Sequence, residues 1–161
     1  MKPAPFIADG ITLAWTGHRP QKLADHVHGQ IKHEMRKLMK RIKPDFIISG
    51  MAQGVDQWAA AIALADRIPF IAAVPFKEQA ELWPAKNRET YESLLSAAHE
   101  VVVIGKSYYV GVYQDRNEWM VDSCTERAAV FNGSHGGTAN CVNYARRMER
   151  PITRIDPRSW L

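Results

Sequence analysis

The sequence predicts an α/β fold in which helices cover both faces of a mostly parallel sheet. Short apolar runs alternate with longer stretches of helical period from one end of the chain to the other. Each short run is almost continuously apolar, as strands buried on both faces are. A chain of 161 residues suits one domain, which would bury about 70% of the surface of the unfolded chain. We therefore expect a single domain over residues 1–161.

Six strands are expected, and helical patterns fill the gaps between them. The strands are placed at 12–15, 46–49, 70–74, 100–104, 128–131 and 152–155, with Pro75 ending the third. Apolar residues three or four apart from Leu23 to Ile42 predict the first helix. A second helix starts within 50–56 and runs through Leu64, a later one carries Arg116, and the last starts near Thr138.

Net charge and cysteine spacing limit the kinds of function that the chain can have. A net charge of +4 and a pI near 9.2 suit a phosphate-bearing ligand but do not by themselves indicate nucleic-acid binding. The two cysteines, Cys124 and Cys141, have no zinc-type or redox spacing, and we expect them to be small buried residues on helices. No metal, no cofactor and no membrane segment is predicted. We expect a cytoplasmic protein.

The first strand leads into Thr16-Gly17-His18-Arg19-Pro20. Glycine lets a backbone approach a phosphate, Arg19 offers a planar fork of donors, and Pro20 breaks the strand before a helix. Thr16, Gly17, His18 and Arg19 are therefore predicted to bind an anionic ligand. The alternative is a tight turn with a solvated Arg and His.

The second strand leads into Ser49-Gly50-Met51-Ala52-Gln53-Gly54-Val55-Asp56. Unpaired N–H groups at the start of the following helix favour anions, so Ser49, Gly50, Gln53 and Gly54 are candidate ligand-binding residues. Asp56 has two interpretations. It caps the helix or complements its dipole, or it accepts hydrogen bonds from a ribose diol.

The third and fourth strands contribute weaker candidates. Pro75 and Phe76 follow the third strand, and Phe76 would line an apolar slot for a base or pack in the core. Arg116 and Asn117 lie on the helix after a tyrosine-rich loop at 105–113. Arg116 would reach a ligand over the sheet edge, or would pair at the surface with Glu118 or Asp122.

The fifth strand leads into Asn132-Gly133-Ser134-His135-Gly136-Gly137-Thr138, which has the form of a phosphate cradle. The glycines permit close backbone approach, and Thr138 is placed to cap a helix or donate to a phosphate oxygen. The loop matches neither GxxxxGK[ST] nor GxGxxG. Asn132, Gly133, Gly136, Gly137 and Thr138 are predicted to bind the ligand, because ligands of open α/β sheets bind at carboxyl strand ends.

Taken together, these motifs resemble the YpsA-type branch of the SLOG superfamily, whose wider relatives include DprA DNA-processing proteins and LOG nucleotide hydrolases. The matching segments are 16–20, 49–56, 74–76, Arg116-Asn117 with 120–122, and Asn132-Gly133 with 136–138. The resemblance implies a Rossmann-like three-layer sandwich that binds a nucleotide or nucleotide-derived small molecule at one sheet edge. It also implies a homo-oligomer, because LOG-like relatives are dimers.

One departure from the LOG pattern bears on chemistry. LOG-type hydrolases carry a Glu that acts on the glycosidic bond after the glycine loop, whereas the third residue after Thr138 here is Cys141. In the LOG pattern a basic residue is expected beside Arg116, and here Asn117 replaces it. Losing acid–base catalysis would raise the barrier to N-glycosidic hydrolysis by roughly 3 to 5 kcal/mol. Asp56 is the candidate substitute, with Arg116 as the second candidate catalytic residue.

The sequence therefore leaves three functions open. The favoured one is a module that senses or sequesters a nucleotide derivative without turnover. The first alternative is a LOG-like nucleoside 5′-monophosphate phosphoribohydrolase. The second is DprA-like binding of single-stranded DNA, which would need phosphate contacts from basic residues such as Arg19, Lys32 and Arg36 and would weaken steeply with salt.

Overall fold

A computed structural model describes residues 2–160, and every strand pairing in this part of the chain is parallel. The strands are β1 Thr12–Gly17, β2 Phe46–Ser49, β3 Phe70–Phe76, β4 Glu100–Gly105, β5 Glu126–Val130 and β6 Ile152–Ile155. Their order across the sheet is β4-β3-β2-β1-β5-β6. The central position of β1 explains its continuous burial from Thr12 to Thr16.

Five α-helices cover the two faces of the sheet in the described residues. They are α1 His28–Ile42, α2 Val55–Ala65, α3 Ala85–Ala97, α4 Val112–Asp122 and α5 Gly137–Arg147. Helices α1, α2 and α3 pack on the face that carries Leu13 and Trp15. Helices α4 and α5 pack on the opposite face, against Ala14 and Ala129 respectively. The three-layer, Rossmann-like α/β fold predicted from the sequence is confirmed.

The strand order places a switch point between β1 and β5. From β1 the chain builds outward through β2, β3 and β4, and then returns to the other side of β1 with β5 and β6. Gly17 at the end of β1 pairs with Val130 at the end of β5, so the two loops that follow begin side by side. Ligands of open α/β sheets bind outside the carboxyl ends of strands at such a point.

Two boundaries differ from the sequence prediction. Strand β3 does not end at Pro75 but continues to Phe76. Val74 pairs with Val103 and Phe76 with Gly105, whereas Pro75 has no partner in the register, so its missing N–H is tolerated. The first helix begins at His28 rather than near Leu23. Two short 3₁₀ turns, Pro20–Lys22 and Asp25–Val27, precede it.

Leu13→Ala is expected to lower the free energy of unfolding by about 3 to 5 kcal/mol, because it opens a cavity at a fully buried site. Leu82→Ala is the matched control, since Leu82 is 94% exposed. Its free energy of unfolding should stay within about 0.5 kcal/mol of the parent. Urea denaturation followed by circular dichroism measures both. Equal losses in the two variants would contradict the assigned core.

Candidate functional site

A cavity of about 390 Å³ opens at the carboxyl ends of β1 and β5. Residues from β1 and the turn after it form one side, and α4 and the start of α5 form the other. The lining residues are Trp15, Thr16, Gly17, His18, Arg19, Lys22, Ala52, Asp56, Tyr113, Arg116, Asn117, Met120, Gly137 and Thr138. The cavity therefore lies at the switch point of the sheet, the position where an α/β fold holds a ligand.

The amino terminus of α5 is open to this cavity. Gly136 is the residue before the helix, its φ is 139°, and no side chain caps the first turn. A φ in this range is easy for glycine and strained for other residues. The first N–H groups of α5 therefore have no intrahelical or side-chain acceptor, and with the helix dipole they favour an anion.

Lys22 is a cavity residue that the sequence analysis missed. Its Nζ lies 3.4 Å from the point that a Cβ at Gly136 would occupy, so the ammonium group borders the glycine loop. Arg19 lines the same cavity and is exposed. Its position in the sequence could have identified it, because Lys22 follows Pro20 by two residues and so lies close to the same turn. Two cations thus line the cavity to which the α5 terminus is open, and Lys22 borders that terminus.

His18 joins the β1 loop to the glycine-rich loop. Its Nε2 lies 2.9 Å from Oδ1 and 3.2 Å from the backbone nitrogen of Asn132. A protonated Nε2 donates to Oδ1, whereas an unprotonated Nε2 accepts from the N–H. The same Oδ1 accepts from the N–H of Ser134 at 2.9 Å. His18 is 3% exposed, and burial lowers its pKa, aided by Lys22 and opposed by the bond to Asn132.

Asp56 and Arg116 form the charged floor of the cavity. Arg116 Nη1 donates to the carbonyl of Gly50 at 2.6 Å, and its Nε donates to Oδ1 of Asn117 at 3.2 Å. Asp56 accepts a backbone N–H bond from Ala52 at 3.3 Å. Burial raises the pKa of Asp56, against the opposing effects of Arg116 and Arg127. Burial also lowers the pKa of Arg116, which Asp56 partly offsets.

A second buried guanidinium, Arg127, lies behind this floor. It is 1% exposed, and its Nη2 donates to Sγ of Cys141 at 2.6 Å. Its Nε and Nη1 have no partner within the described residues. Burial raises the pKa of Cys141, while Arg127 and Arg116 oppose that shift. Cys141 is fully buried and does not line the cavity, so the thiol contacts a cation rather than a ligand.

Half of the predicted ligand-binding residues meet in the cavity. These are Thr16, Gly17, His18, Arg19, Asp56, Arg116, Asn117, Gly137 and Thr138. Gly136 and Asn132 lie just outside it, at the start of α5 and in the bond to His18. Gly133 lies on the outer side of the same loop, where an added Cβ would be 3.7 Å from Nη2 of Arg154.

The predicted residues of the second loop support the cavity instead of lining it. The hydroxyl of Ser49 donates to the carbonyl of Asp56 at 2.6 Å. Gly50 leaves room for the Asp56 and Arg116 side chains, each of which would lie 2.8 Å from an added Cβ. The Asp56 carboxylate, in the first turn of α2, is itself bonded to the N–H of Ala52 in this loop.

Four other predicted residues also lie outside the lining. Gln53 accepts a bond from Asn87 at 2.6 Å. Gly54, with φ of 90°, packs on Pro20. Pro75 is buried within β3, and Phe76 at its end contacts tyrosine rings.

Residues 2–160 contain neither a metal-binding cluster nor a membrane-spanning helix. In that range, no group of three His, Cys, Asp or Glu side chains is placed to hold a metal ion. Nor does any helix in it have the length and apolar character needed to cross a bilayer. Both cysteines are free and buried. Cys124 follows α4 rather than lying on a helix, which corrects the sequence prediction for that residue.

A family model described as the YspA SLOG family, with the short name YpsA, matches residues 13–159. The chain belongs to this family. Among similar proteins is the uncharacterized SPbeta prophage-derived protein YoqJ of Bacillus subtilis (strain 168), which is 33% identical over 129 residues. That match covers 68% of this SLOG chain and 75% of the relative.

Solved structures show the same fold. DNA processing protein A (DprA) of Streptococcus pneumoniae superposes with a TM-score of 0.70 at 17% identity, over 91% of this SLOG chain. The chain spans 50% of the length of that protein. DprA of Helicobacter pylori, described for its single-stranded DNA binding, gives a TM-score of 0.66 at 18% identity, over 91% of this chain and 65% of its own.

The pH dependence of stability should report the burial of His18. Because the folded state holds the pKa of His18 below its ordinary 6.5, the unfolded chain binds more protons as pH falls below that value. We expect the free energy of unfolding to fall with pH in this range, and to fall less in His18→Gln. Denaturant titrations between pH 7.5 and pH 5, values of about one unit to either side of the reference pKa, measure this.

The matched control is His26→Gln, because His26 is exposed on a 3₁₀ turn. That variant should keep the pH dependence of the parent. If His18→Gln showed the same slope as the parent, the coupling of His18 protonation to folding would be wrong.

Proposed function

We propose that this SLOG protein binds a nucleotide or nucleotide derivative in the cavity at the β1/β5 switch point, as a sensing or sequestering module. The observation that carries the proposal is the pairing of an uncapped α5 terminus with two cations, Arg19 and Lys22, on one cavity. Charge-assisted bonds from guanidinium, ammonium and backbone N–H groups are the contacts that phosphates prefer.

The remaining walls suit the nucleoside part. Asp56 presents a carboxyl group that accepts hydrogen bonds from a ribose diol. Met120 and Tyr113 supply apolar and aromatic surface beside it. Trp15 also lines the cavity, and its indole Nε1 has no hydrogen-bond partner within the described residues. A cavity of about 390 Å³ falls within the size range of small-molecule sites, roughly 300 to 1,000 Å³.

Excess positive charge supports an anionic ligand over a neutral one. Arg19, Lys22 and Arg116 line the cavity with a single carboxyl group, Asp56, and Arg127 also acts on that carboxyl group. The four ion pairs found between residues 2 and 160 involve none of these side chains. A phosphate group on the ligand would supply the negative charge that balances these cations.

Lys22→Ala and Arg19→Ala are each expected to weaken binding of a nucleoside 5′-monophosphate by about 10- to 100-fold, since each removes a bond to a charged group. Isothermal titration calorimetry with AMP, GMP, CMP and UMP measures the affinities. Arg36→Ala is the control, because Arg36 is exposed on α1 away from the cavity lining. No binding by the parent, or equal losses in all three variants, would overturn the proposal.

Hydrolysis of the N-glycosidic bond is the second candidate, and it is favoured by one observation. Asp56 is a buried cavity carboxyl with a raised pKa, which is the property of a general acid. Against it, Cys141 stands where LOG hydrolases carry Glu, and its buried thiol accepts a bond from Arg127 and does not line the cavity. Turnover would therefore depend on Asp56 alone among the described cavity residues.

We expect a nucleoside monophosphate incubated with the parent to be recovered intact, with no free base by liquid chromatography. If free base is released, Asp56→Asn should slow its release by about 10²- to 10⁴-fold, because the general acid is lost. Asp66→Asn serves as a matched control, since Asp66 is exposed at the carboxyl end of α2 and does not line the cavity. Release that persists unchanged in Asp56→Asn would exclude Asp56 as the catalyst.

Binding of single-stranded DNA is the outcome that salt dependence tests. Mononucleotide binding that changes little between low and moderate salt supports the small-ligand proposal. A strand held by several phosphates would instead lose affinity steeply over the same range.

A further inference from the structure

An exposed aromatic surface lies beside the cavity at the carboxyl ends of β3 and β4. Tyr108 is 60% exposed, and Tyr113 is 37% exposed. Phe76, at the end of β3, is half-buried between them. We call these three residues the aromatic ledge. Large apolar side chains left in water at the functional edge of a sheet mark a binding surface more often than a packing one.

The rings of the ledge hold a defined geometry. The ring centroid of Phe76 lies 5.8 Å from that of Tyr108 and 5.9 Å from that of Tyr113, with an interplanar angle of 78° in each pair. Such edge-to-face contacts are favourable and fix ring orientation. The ledge therefore presents ring surface in a set orientation.

Tyr113 makes the ledge continuous with the cavity. It lines the cavity, and the guanidinium carbon of Arg116 lies 5.8 Å from its ring centroid. A ligand whose phosphate lies at the α5 terminus reaches the ledge by passing the Tyr113 ring. One molecule can therefore contact both surfaces.

The loop that carries Tyr108 is held in place by the next residue, Tyr109. The hydroxyl of Tyr109 donates to Oδ2 of Asp115 at 2.7 Å. The Tyr109 ring also lies against Gly105, where an added Cβ would be 2.7 Å from it. Tyr109 is thus used to hold the loop on α4, and Tyr108 is left to face solvent.

Two lysines flank the ledge. Lys77 follows Phe76 and Lys106 follows Gly105, and both are exposed. Neither is in an ion pair within residues 2–160. Exposed rings stack on planar bases, and cations bind phosphates, so this surface suits a ligand that has both a base and a phosphate bridge.

We propose that the aromatic ledge is a second subsite that stacks a planar ring of the same ligand, so that the ligand is a dinucleotide: two nucleosides joined through a phosphate bridge. This rests on the proposed function, because the first nucleotide is held in the cavity. The ledge offers one stacking step, whereas a nucleic-acid strand is held by successive aromatic platforms along a basic groove. The geometry therefore favours a ligand that ends at the ledge.

Calorimetry with matched probes tests the subsite. The probes are AMP, GMP, CMP and UMP, and the symmetric 5′,5′-dinucleoside diphosphate of each base. We expect at least one dinucleotide to bind the parent about tenfold more tightly than its mononucleotide, as one stacked ring provides. Tyr108→Ala should abolish that gain and leave mononucleotide affinity unchanged, because Tyr108 does not line the cavity.

Two control variants separate stacking from general damage. Tyr108→Phe should keep the dinucleotide gain, since it retains the ring. Leu82→Ala should also keep it, because Leu82 is an exposed apolar residue outside the ledge. Circular dichroism verifies that each variant is folded.

The outcomes distinguish the two proposals. Dinucleotides that bind no more tightly than mononucleotides, or a gain that survives in Tyr108→Ala, overturn the ledge subsite while mononucleotide binding upholds the proposed function. Failure of every mononucleotide and every dinucleotide to bind overturns both. A single-stranded oligodeoxyadenylate that binds more tightly than every dinucleotide, and loses that affinity in Tyr108→Ala, would assign the ledge to a strand and overturn the dinucleotide.

Discussion

The buried guanidinium of Arg116 is the constraint on which the carboxyl edge of the sheet depends. A buried charge is costly unless hydrogen bonds and an opposite charge compensate it. Arg116 extends from α4 on one face of the sheet to the carbonyl of Gly50 at the end of β2. Asp56 approaches the same point from α2 on the other face. Side chains from both helical layers therefore lie beside Gly50, and only a residue without a side chain fits at position 50.

The same edge is held together at the switch point by His18 and Asn132. Their hydrogen bonds connect the loop after β1 to the loop after β5. Asn117 adds a weaker contact, donating to the carbonyl of Gly137 at 3.4 Å. The cavity walls are therefore fixed by bonds within the protein, whereas the side chains of Arg19 and Lys22 are in no ion pair within residues 2–160. Such preorganisation limits the entropy lost when a ligand binds.

The electrostatics of the cavity distinguish binding from turnover. Cations outnumber carboxylates around it, which favours capture of an anion. The residue that would extend the catalytic set is Cys141, and the fold directs its thiol to Arg127. With the thiol buried and its pKa raised, this position offers neither a carboxylate nor an accessible nucleophile. The chain thus combines a cavity lined by Arg19 and Lys22 with a buried thiol at position 141.

The sequence by itself determined the six strands, the parallel sheet and the three loops that follow β1, β2 and β5. These features are local patterns, and parallel strands bring their carboxyl ends to one edge whatever their order. Only the tertiary structure decided which side chains from distant parts of the chain meet around these loops. The strand order places the side chains of Asp56 and Arg116 beside Gly50 in the second loop. It also places Lys22 beside the glycine-rich loop, and Phe76 beside Tyr108 and Tyr113. Such meetings join residues far apart in the chain, so no local periodicity or spacing encodes them.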